Sequence, residues 1–174
     1  KVPNLPLCNI DDVHLPPNTE TEWYNWFLWE QFANRFASAL LAPRHLALAF
    51  LRKANFDPLV LEQQFGLTYE TAAHRTVILA PARLHFVKVV AGRELVKAHS
   101  DHRVELPYTA MRICGYWSAA AALESAALGQ LVTQRTRLVD SGEELVCLTR
   151  LAKNADGEIS AISVGARLEN AKLF

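Results

Sequence analysis

The segment 130–168, QLVTQRTRLVDSGEELVCLTRLAKNADGEISAISVGARL, decides the fold. Its three parts, residues 130–139, 144–152 and 158–168, alternate apolar and polar residues or are rich in β-forming residues, and a period of two is typical of strands. The intervening DSG and NADG sequences have the composition of hairpin turns. The segment therefore predicts a three-stranded antiparallel meander.

Two further strand patterns precede the meander. They are LHFVKVV at 84–90 and ELVKAHS at 94–100, separated by Ala91-Gly92. The Ala-rich sequence YWSAAAALESAALG at 116–129 follows them and favours a short helix, packed on the sheet and ended by a glycine. Residues 81–174 are thus predicted to form an α+β domain, an antiparallel sheet with one packed helix.

The first 80 residues have a different pattern. Four of the eight prolines lie in residues 1–20, which predicts an extended arm. Residues 21–80 are predicted to be a helical segment, with one helix from about 19 to 41 and a second over 44–53. The fold class is α+β, with this helical segment preceding the sheet.

A helix-turn-helix-like pair is predicted at 58–79. Asp57 precedes its first helix, Gly66 interrupts the pattern, and Thr68 is placed to cap the second helix. The pair carries Glu62 and Glu70 as well as His74 and Arg75. This mixture argues against a DNA-reading role, because a DNA-reading helix presents several basic or amide groups to DNA. Packing or a dimer surface is the favoured interpretation.

The composition argues against several classes of protein. The 174 residues are 51% hydrophobic, and eighteen basic residues balance eighteen acidic ones, so the chain lacks the electrostatic footprint of a nucleic-acid-binding protein. Three widely spaced cysteines argue against a disulfide framework and for a cytoplasmic protein. No stretch has the character of a membrane span or signal peptide. The loop-like start without methionine leads us to expect a piece of a longer protein.

Glu30 lies among small apolar residues in EQFANRFASALLAP, residues 30–43. At 100° per residue it shares a helical face with Ala33, Ala37, Leu40 and Leu41, which we expect to be a packing face. A carboxylate there needs a partner, because desolvating it alone is costly. An arginine such as Arg35 or Arg44, the tryptophan N–H groups and a metal ion are the alternatives.

The same segment resembles the second motif of the ImmA/IrrE-type metallopeptidase family, in which a glutamate at the position of Glu30 is the third zinc ligand. The His-Glu-x-x-His motif of that family does not occur in these residues. The resemblance implies a degenerate peptidase-like segment, with Glu30 as a vestigial metal position and no cofactor. The alternative is a zinc endopeptidase whose catalytic helix lies upstream of Lys1.

A longer resemblance, over about residues 30–174, is to bacterial regulators of the short-chain fatty acid regulator family. The motifs that carry it are Phe86-Val87-Lys88, Cys114 with Trp117, 129–134 and 147–150. It implies the ligand-sensing and dimerising part of a transcriptional regulator that responds to a short-chain acyl-CoA. DNA would be contacted only through a domain absent from this chain, and the chain would form a homodimer.

An acyl-CoA site needs cations for phosphates, an aromatic platform and a narrow apolar slot. Arg112, Trp117, Gln134 and Arg150 lie in the family-like segments and are the predicted ligand-binding residues. No catalytic residue is predicted.

Two other groups of residues receive structural interpretations. The cluster His99, Asp101 and His102 is predicted to be solvated rather than a metal site. Cys114 and Cys147 are predicted to be small core residues.

Overall fold

A computed structural model of the protein describes residues 29, 32–80, 84–100, 106, 108–109, 112–138, 141–153 and 157–173. The helices are α1 (32–41), α2 (Arg44–Lys53), α3 (Leu59–Phe65), α4 (Tyr69–Leu79) and α5 (Ser118–Ser125). The strands are β1 (Leu84–Val90), β2 (Glu94–Ser100), β3 (Tyr108–Thr109), β4 (Arg112–Ile113), β5 (Leu131–Arg137), β6 (Glu144–Lys153) and β7 (Ile159–Arg167). Short 3-10 helices cover Ala91–Arg93 and Leu168–Leu173.

The strands form one antiparallel sheet in the order β3-β4-β2-β1-β7-β6-β5. The predicted meander is confirmed as β5-β6-β7, and β1 lies between β2 and β7. The α+β class is also confirmed. The strands β3 and β4 were not predicted, because two residues are too few to show a period.

The sheet is covered on both sides, and β1 shows how the two sides are divided. Val87 and Val89 pack in a core with Trp117 and the alanines of α5. Leu84 and Phe86 pack in a separate core with α4. Because successive strand residues point to opposite faces, we call these the α5 face and the helical face of the sheet. The helix α4 and the sheet thus share a core, and a further apolar cluster lies within the helical segment itself. The predicted boundary at residue 80 stays a prediction.

The predicted helix ends are formed by local contacts. The backbone N–H of Leu59 donates to the Asp57 carboxylate at 2.9 Å, and Gly66 ends α3 with a φ of 62° that glycine adopts without strain. The N–H of Thr71 donates to Thr68 Oγ1 at 3.2 Å, which caps α4. These contacts produce the predicted pair of helices.

The second helix of that pair packs against the sheet. Eight residues of α4 are buried: Tyr69, Ala72, Ala73, His74, Arg75, Thr76, Val77 and Leu79. A helix covered in this way cannot enter a DNA groove. The packing interpretation of the pair is therefore confirmed.

Two expectations need comment. The predicted packing face of α1 is wrong for its described members, because Ala33, Ala37, Leu40 and Leu41 are all exposed. Periodicity defines an apolar stripe, but burial requires another element opposite it. Cys114 is exposed whereas Cys147 is buried, so the core interpretation holds only for Cys147.

The predicted arm, residues 1–20, lies outside the described residues. Among the helices that are described, none has the length and apolar character to span a membrane.

Candidate functional site

A cavity of about 730 Å³ lies between α1, the end of α4 and the adjoining edge of β1 and β2. That volume is within the range of small-molecule sites. Most of its wall is apolar, and the polar groups come from two arginines, a histidine and a serine. The lining residues are Phe32, Arg35, Phe36, Ala39, Arg75, Val77, Ile78, Ala80, Leu84, His99 and Ser100.

Arg75 connects the cavity to the end of α1. It is a buried residue of α4, 6% exposed, and its Nε and Nη2 atoms donate to the carbonyl oxygen of Ala42 at 3.2 and 3.0 Å. Burial lowers the pKa of Arg75, and neighbouring Arg44 lowers it further. The guanidinium has five N–H donors, so the bond to Ala42 leaves others for a ligand.

His74 lies between the cavity and the sheet. Its ring is 5.3 Å from the ring of Phe86 and 5.6 Å from that of His99, measured between centroids. Burial lowers the pKa of His74 to about 3, and the nearby positive groups of Lys97, His99, Arg35 and Arg75 lower it further. His74 is therefore neutral at pH 7, and its environment is electropositive.

Three of the predicted ligand residues lie around the loop that enters α5. Gln134 Nε2 donates to the carbonyl oxygen of Tyr116 at 2.8 Å, and the adjacent Trp117 is fully buried. Arg112 is exposed on β4, with its Nη2 atom 4.0 Å from the position that a Cβ on Gly92 would take. Tyr116 is 87% exposed, so the loop offers an aromatic surface rather than a slot.

Arg150, the fourth predicted residue, lies on the opposite side of the sheet. Its Nη1 pairs with Glu62 Oε2 at 2.6 Å, its Nε donates to Gly129 O at 3.1 Å, and its guanidinium carbon is 5.1 Å from the centroid of Tyr69. The structure therefore does not bring Arg150 together with Trp117 and Gln134. The assignment of these residues to a ligand stays a prediction.

The α5 face contains a buried cluster of neutral polar groups. The Thr149 hydroxyl lies 2.9 Å from those of Ser118 and Ser163. Beside them, Cys147 Sγ accepts from Trp117 Nε1 at 3.4 Å and lies 3.5 Å from His85 Nε2. We call these six residues the buried polar cluster.

Burial controls the ionisation of this cluster. It raises the pKa of the Cys147 thiol, which opposes thiolate chemistry, and lowers the pKa of His85 to about 4. Within the described part of the chain, His85 Nδ1 has no hydrogen-bond partner. The cluster is therefore neutral at pH 7, and Cys147 acts in it as a packing residue rather than as a nucleophile.

The predicted metal position cannot be placed. Glu30, Asp101 and His102 lie outside the described residues. No group of three or more His, Cys, Asp or Glu residues suited to a metal ion occurs among the residues that the structure covers. The vestigial role of Glu30 and the zinc alternative stay predictions.

Sequence reasoning missed the cavity and the buried histidine. The sequence suggests Arg35 only as a partner of Glu30, and it places Arg75 within the predicted helical pair without a ligand role. The available signal for Arg75 was the basic pair His74-Arg75 inside the otherwise small and apolar TAAHRTVIL. For His85 the signal was its position two and four residues before Val87 and Val89, because alternate residues of a strand point to the same face.

Among the comparisons with known proteins, one solved structure bears on the fold. No protein-family profile matches the sequence, and no curated protein is similar to it. A solved structure of a Mycobacterium tuberculosis transcriptional regulator is similar with a TM-score of 0.67 and 22% identity, over 82% of this chain and 45% of that one. This chain thus spans less than half of that protein, and the likeness establishes the fold.

A second solved structure is the sensor domain of the zinc-responsive histidine kinase CzcS from Pseudomonas aeruginosa. It matches 71% of this chain and 90% of that domain, with 16% identity and a TM-score of 0.35. A score this low does not establish a shared fold, and we draw no conclusion from it.

Proposed function

We propose that this chain is the ligand-sensing part of a bacterial transcriptional regulator and that its ligand is a short-chain acyl-CoA. The observation that carries the proposal is the cavity between α1 and the sheet, which combines aromatic and aliphatic walls with Arg35 and Arg75. An acyl-CoA joins apolar and strongly anionic parts, so it suits a site of this mixed character. The role in regulation is supported by the fold likeness to the mycobacterial regulator.

The position of the cavity suits a sensor. A ligand there would touch α1 on one side and α4 with β2 on the other. A ligand that contacts two elements favours the arrangement in which both contacts are made, and it can thereby shift a conformational equilibrium. A DNA-binding domain attached elsewhere in the protein, and a homodimer, belong to the same proposal.

Isothermal titration calorimetry of the chain with acetyl-, propionyl- and butyryl-CoA tests the proposal. We expect saturable heat with at least one ester. Coenzyme A without an acyl group should bind more weakly, because it lacks the acyl chain that the apolar wall of the cavity would contact. The absence of heat with every ester, at protein concentrations well above micromolar, would contradict it.

The variant Arg112→Gln tests the residues predicted from sequence separately. Arg112 is exposed and lies outside the cavity lining, so its replacement leaves the cavity intact. A loss of acyl-CoA binding in this variant would place the ligand at the loop before α5. Unchanged binding would favour the cavity.

A further inference from the structure

The two arginines of the cavity come from different elements, Arg35 from α1 and Arg75 from α4. The described lining residues include no aspartate or glutamate. Neither arginine forms an ion pair with a described residue. Within the described part of the chain these two cations have no neighbouring carboxylate, and together they generate a positive potential, which attracts an anion. Burial lowers the pKa of His74, and the nearby positive groups, which include both arginines, lower it further.

The apolar part of the wall defines the rest of the ligand. Phe32 and Phe36 are 60% and 67% exposed, although both line the cavity. Ile78 and Leu84 lie on the side of α4 and β1. A chain of methylene groups between these walls would remove apolar surface from water, and this burial is favourable. The cavity therefore suits an anionic group attached to an apolar chain.

The helix α1 is weakly attached to the rest of the protein, so a ligand beside it can change how often it opens. Only Ser38 of the described part of α1 is buried, followed by Ala42 just after the helix. The bond from Arg75 to the Ala42 carbonyl is the long-range polar contact at this end. A helix with so little buried surface is expected to open locally at low free-energy cost.

Resting on the proposed function, we propose that Arg35 and Arg75 together bind the anionic group of the ligand, and that the bound ligand fastens α1 onto α4 and β2. The anion is either the carboxylate of a free short-chain acid or a phosphate of a CoA ester, since both accept hydrogen bonds from guanidinium groups. Its apolar chain packs between Phe32 and Phe36 on one side and Ile78 on the other. Arg75 then contacts the ligand and the end of α1 at once.

Hydrogen exchange of the peptide covering 32–42, with and without butyryl-CoA, CoA or butyrate, tests the inference on the whole chain. At a ligand concentration of about 100 times Kd, amides that exchange through opening of α1 should slow by about 100-fold, because the ligand binds only the closed form. An effect of butyrate alone identifies the carboxylate as the recognised anion, and an effect of CoA alone identifies a phosphate.

The variant Arg35→Gln should weaken binding by about tenfold or more, the loss expected for a charge-assisted hydrogen bond, and should reduce the protection of α1. Arg35 is exposed, so the fold should survive. The matched control is Arg52→Gln, an exposed arginine in the last turn of α2 that does not line the cavity, and it should bind like the original chain.

The outcomes separate this inference from the proposed function. If no ester binds the original chain, the proposed function fails. If an ester binds while exchange of α1 stays unchanged, or binds Arg35→Gln and the original chain equally, the proposed function stands and this inference is overturned.

Discussion

The two faces of the sheet handle polar groups in opposite ways. On the α5 face, Ser118, Thr149 and Ser163 are fully buried and bond to one another as neutral hydroxyls. On the helical face, Lys88 pairs with Glu70 at 2.8 Å, and the side chains are 13% and 28% exposed. Full burial makes charge costly, whereas partial exposure allows it. The difference marks the α5 face as sealed, whereas the helical face carries partly exposed charged groups.

The largest expected effect tests the sealed face. Trp117 is fully buried under α5, so Trp117→Ala should lower the free energy of unfolding by about 3–5 kcal/mol, because it removes a large apolar contact and leaves a cavity. Phe36→Ala is the control on the open side, where the ring is 67% exposed, and it should change stability by about 0.5 kcal/mol or less. Denaturant unfolding measures both. Equal losses would contradict the distinction between the faces.

Gly165 tests how tightly the buried polar cluster is packed. A Cβ at this position would overlap the ring of His85 and lie 2.8 Å from Cys147 Sγ. Gly165→Ala should therefore cost about 1–3 kcal/mol, the usual penalty of overpacking. Thermal or denaturant unfolding gives the value.

The control for this change is Gly115→Ala. A Cβ there would also overlap a neighbour, but the neighbour is the terminal Nη1 of the exposed Arg93, which can move away. We expect a smaller loss than at Gly165. If Gly165→Ala were the more stable of the two variants, the close packing of His85 against β7 would be disproved.

Each face of the sheet contains a buried histidine whose pKa is lowered, and the two pKa values are lowered for different reasons. Burial alone lowers the pKa of His85 to about 4, whereas burial and positive neighbours lower that of His74 to about 3. Below the ordinary value of 6.5, the unfolded chain binds protons that the folded chain does not. Stability should therefore fall as the pH drops from about 6.5 toward these values, by up to about 1.4 kcal/mol per pH unit for each histidine.

Salt separates the two contributions. Added salt screens the positive neighbours of His74 but not the burial of His85. The folded-state pKa governs proton uptake below about pH 5, so unfolding free energies between pH 5 and 3, at low and high salt, should show a salt-sensitive part that disappears in His74→Gln and persists in His85→Gln. A slope that neither variant reduces would contradict the assignment.

Much of the fold was predictable because its signals are local. The residues 84–90, 94–100 and 44–53 were predicted at the bounds that the structure has, and the caps at Asp57 and Thr68 form as expected. A bulge in β2 was not predictable: Val89 pairs with Leu95 while Lys88 pairs with Lys97, so Val96 is the extra residue. The bulge returns Lys97 and His99 to the helical face, near the cavity.

The candidate site was less predictable than the fold. The cavity joins Arg35 of α1 to residues more than forty positions away, such as Leu84 and His99. Their proximity depends on how α4 and β2 pack, which no local pattern encodes. Arg150 shows the opposite case. The family-like segments predict that it acts together with Trp117 and Gln134, but its position in the strand directs its side chain to the other face of the sheet, where it pairs with Glu62.

The sequence by itself determined the α+β class, the meander and the helix ends at Asp57, Gly66 and Thr68, because period-two alternation, turn residues and caps act over a few residues. It did not determine the end of α5, which lies at Ser125 rather than at the predicted Gly129. The tertiary structure decided which apolar faces of the helices and strands are covered by another element. It leaves Leu40 and Leu41 of α1 exposed and buries His85. It also decided that Arg75 meets Ala42. Burial and charge proximity depend on partners distant in the chain, and those partners are known only once the elements have packed.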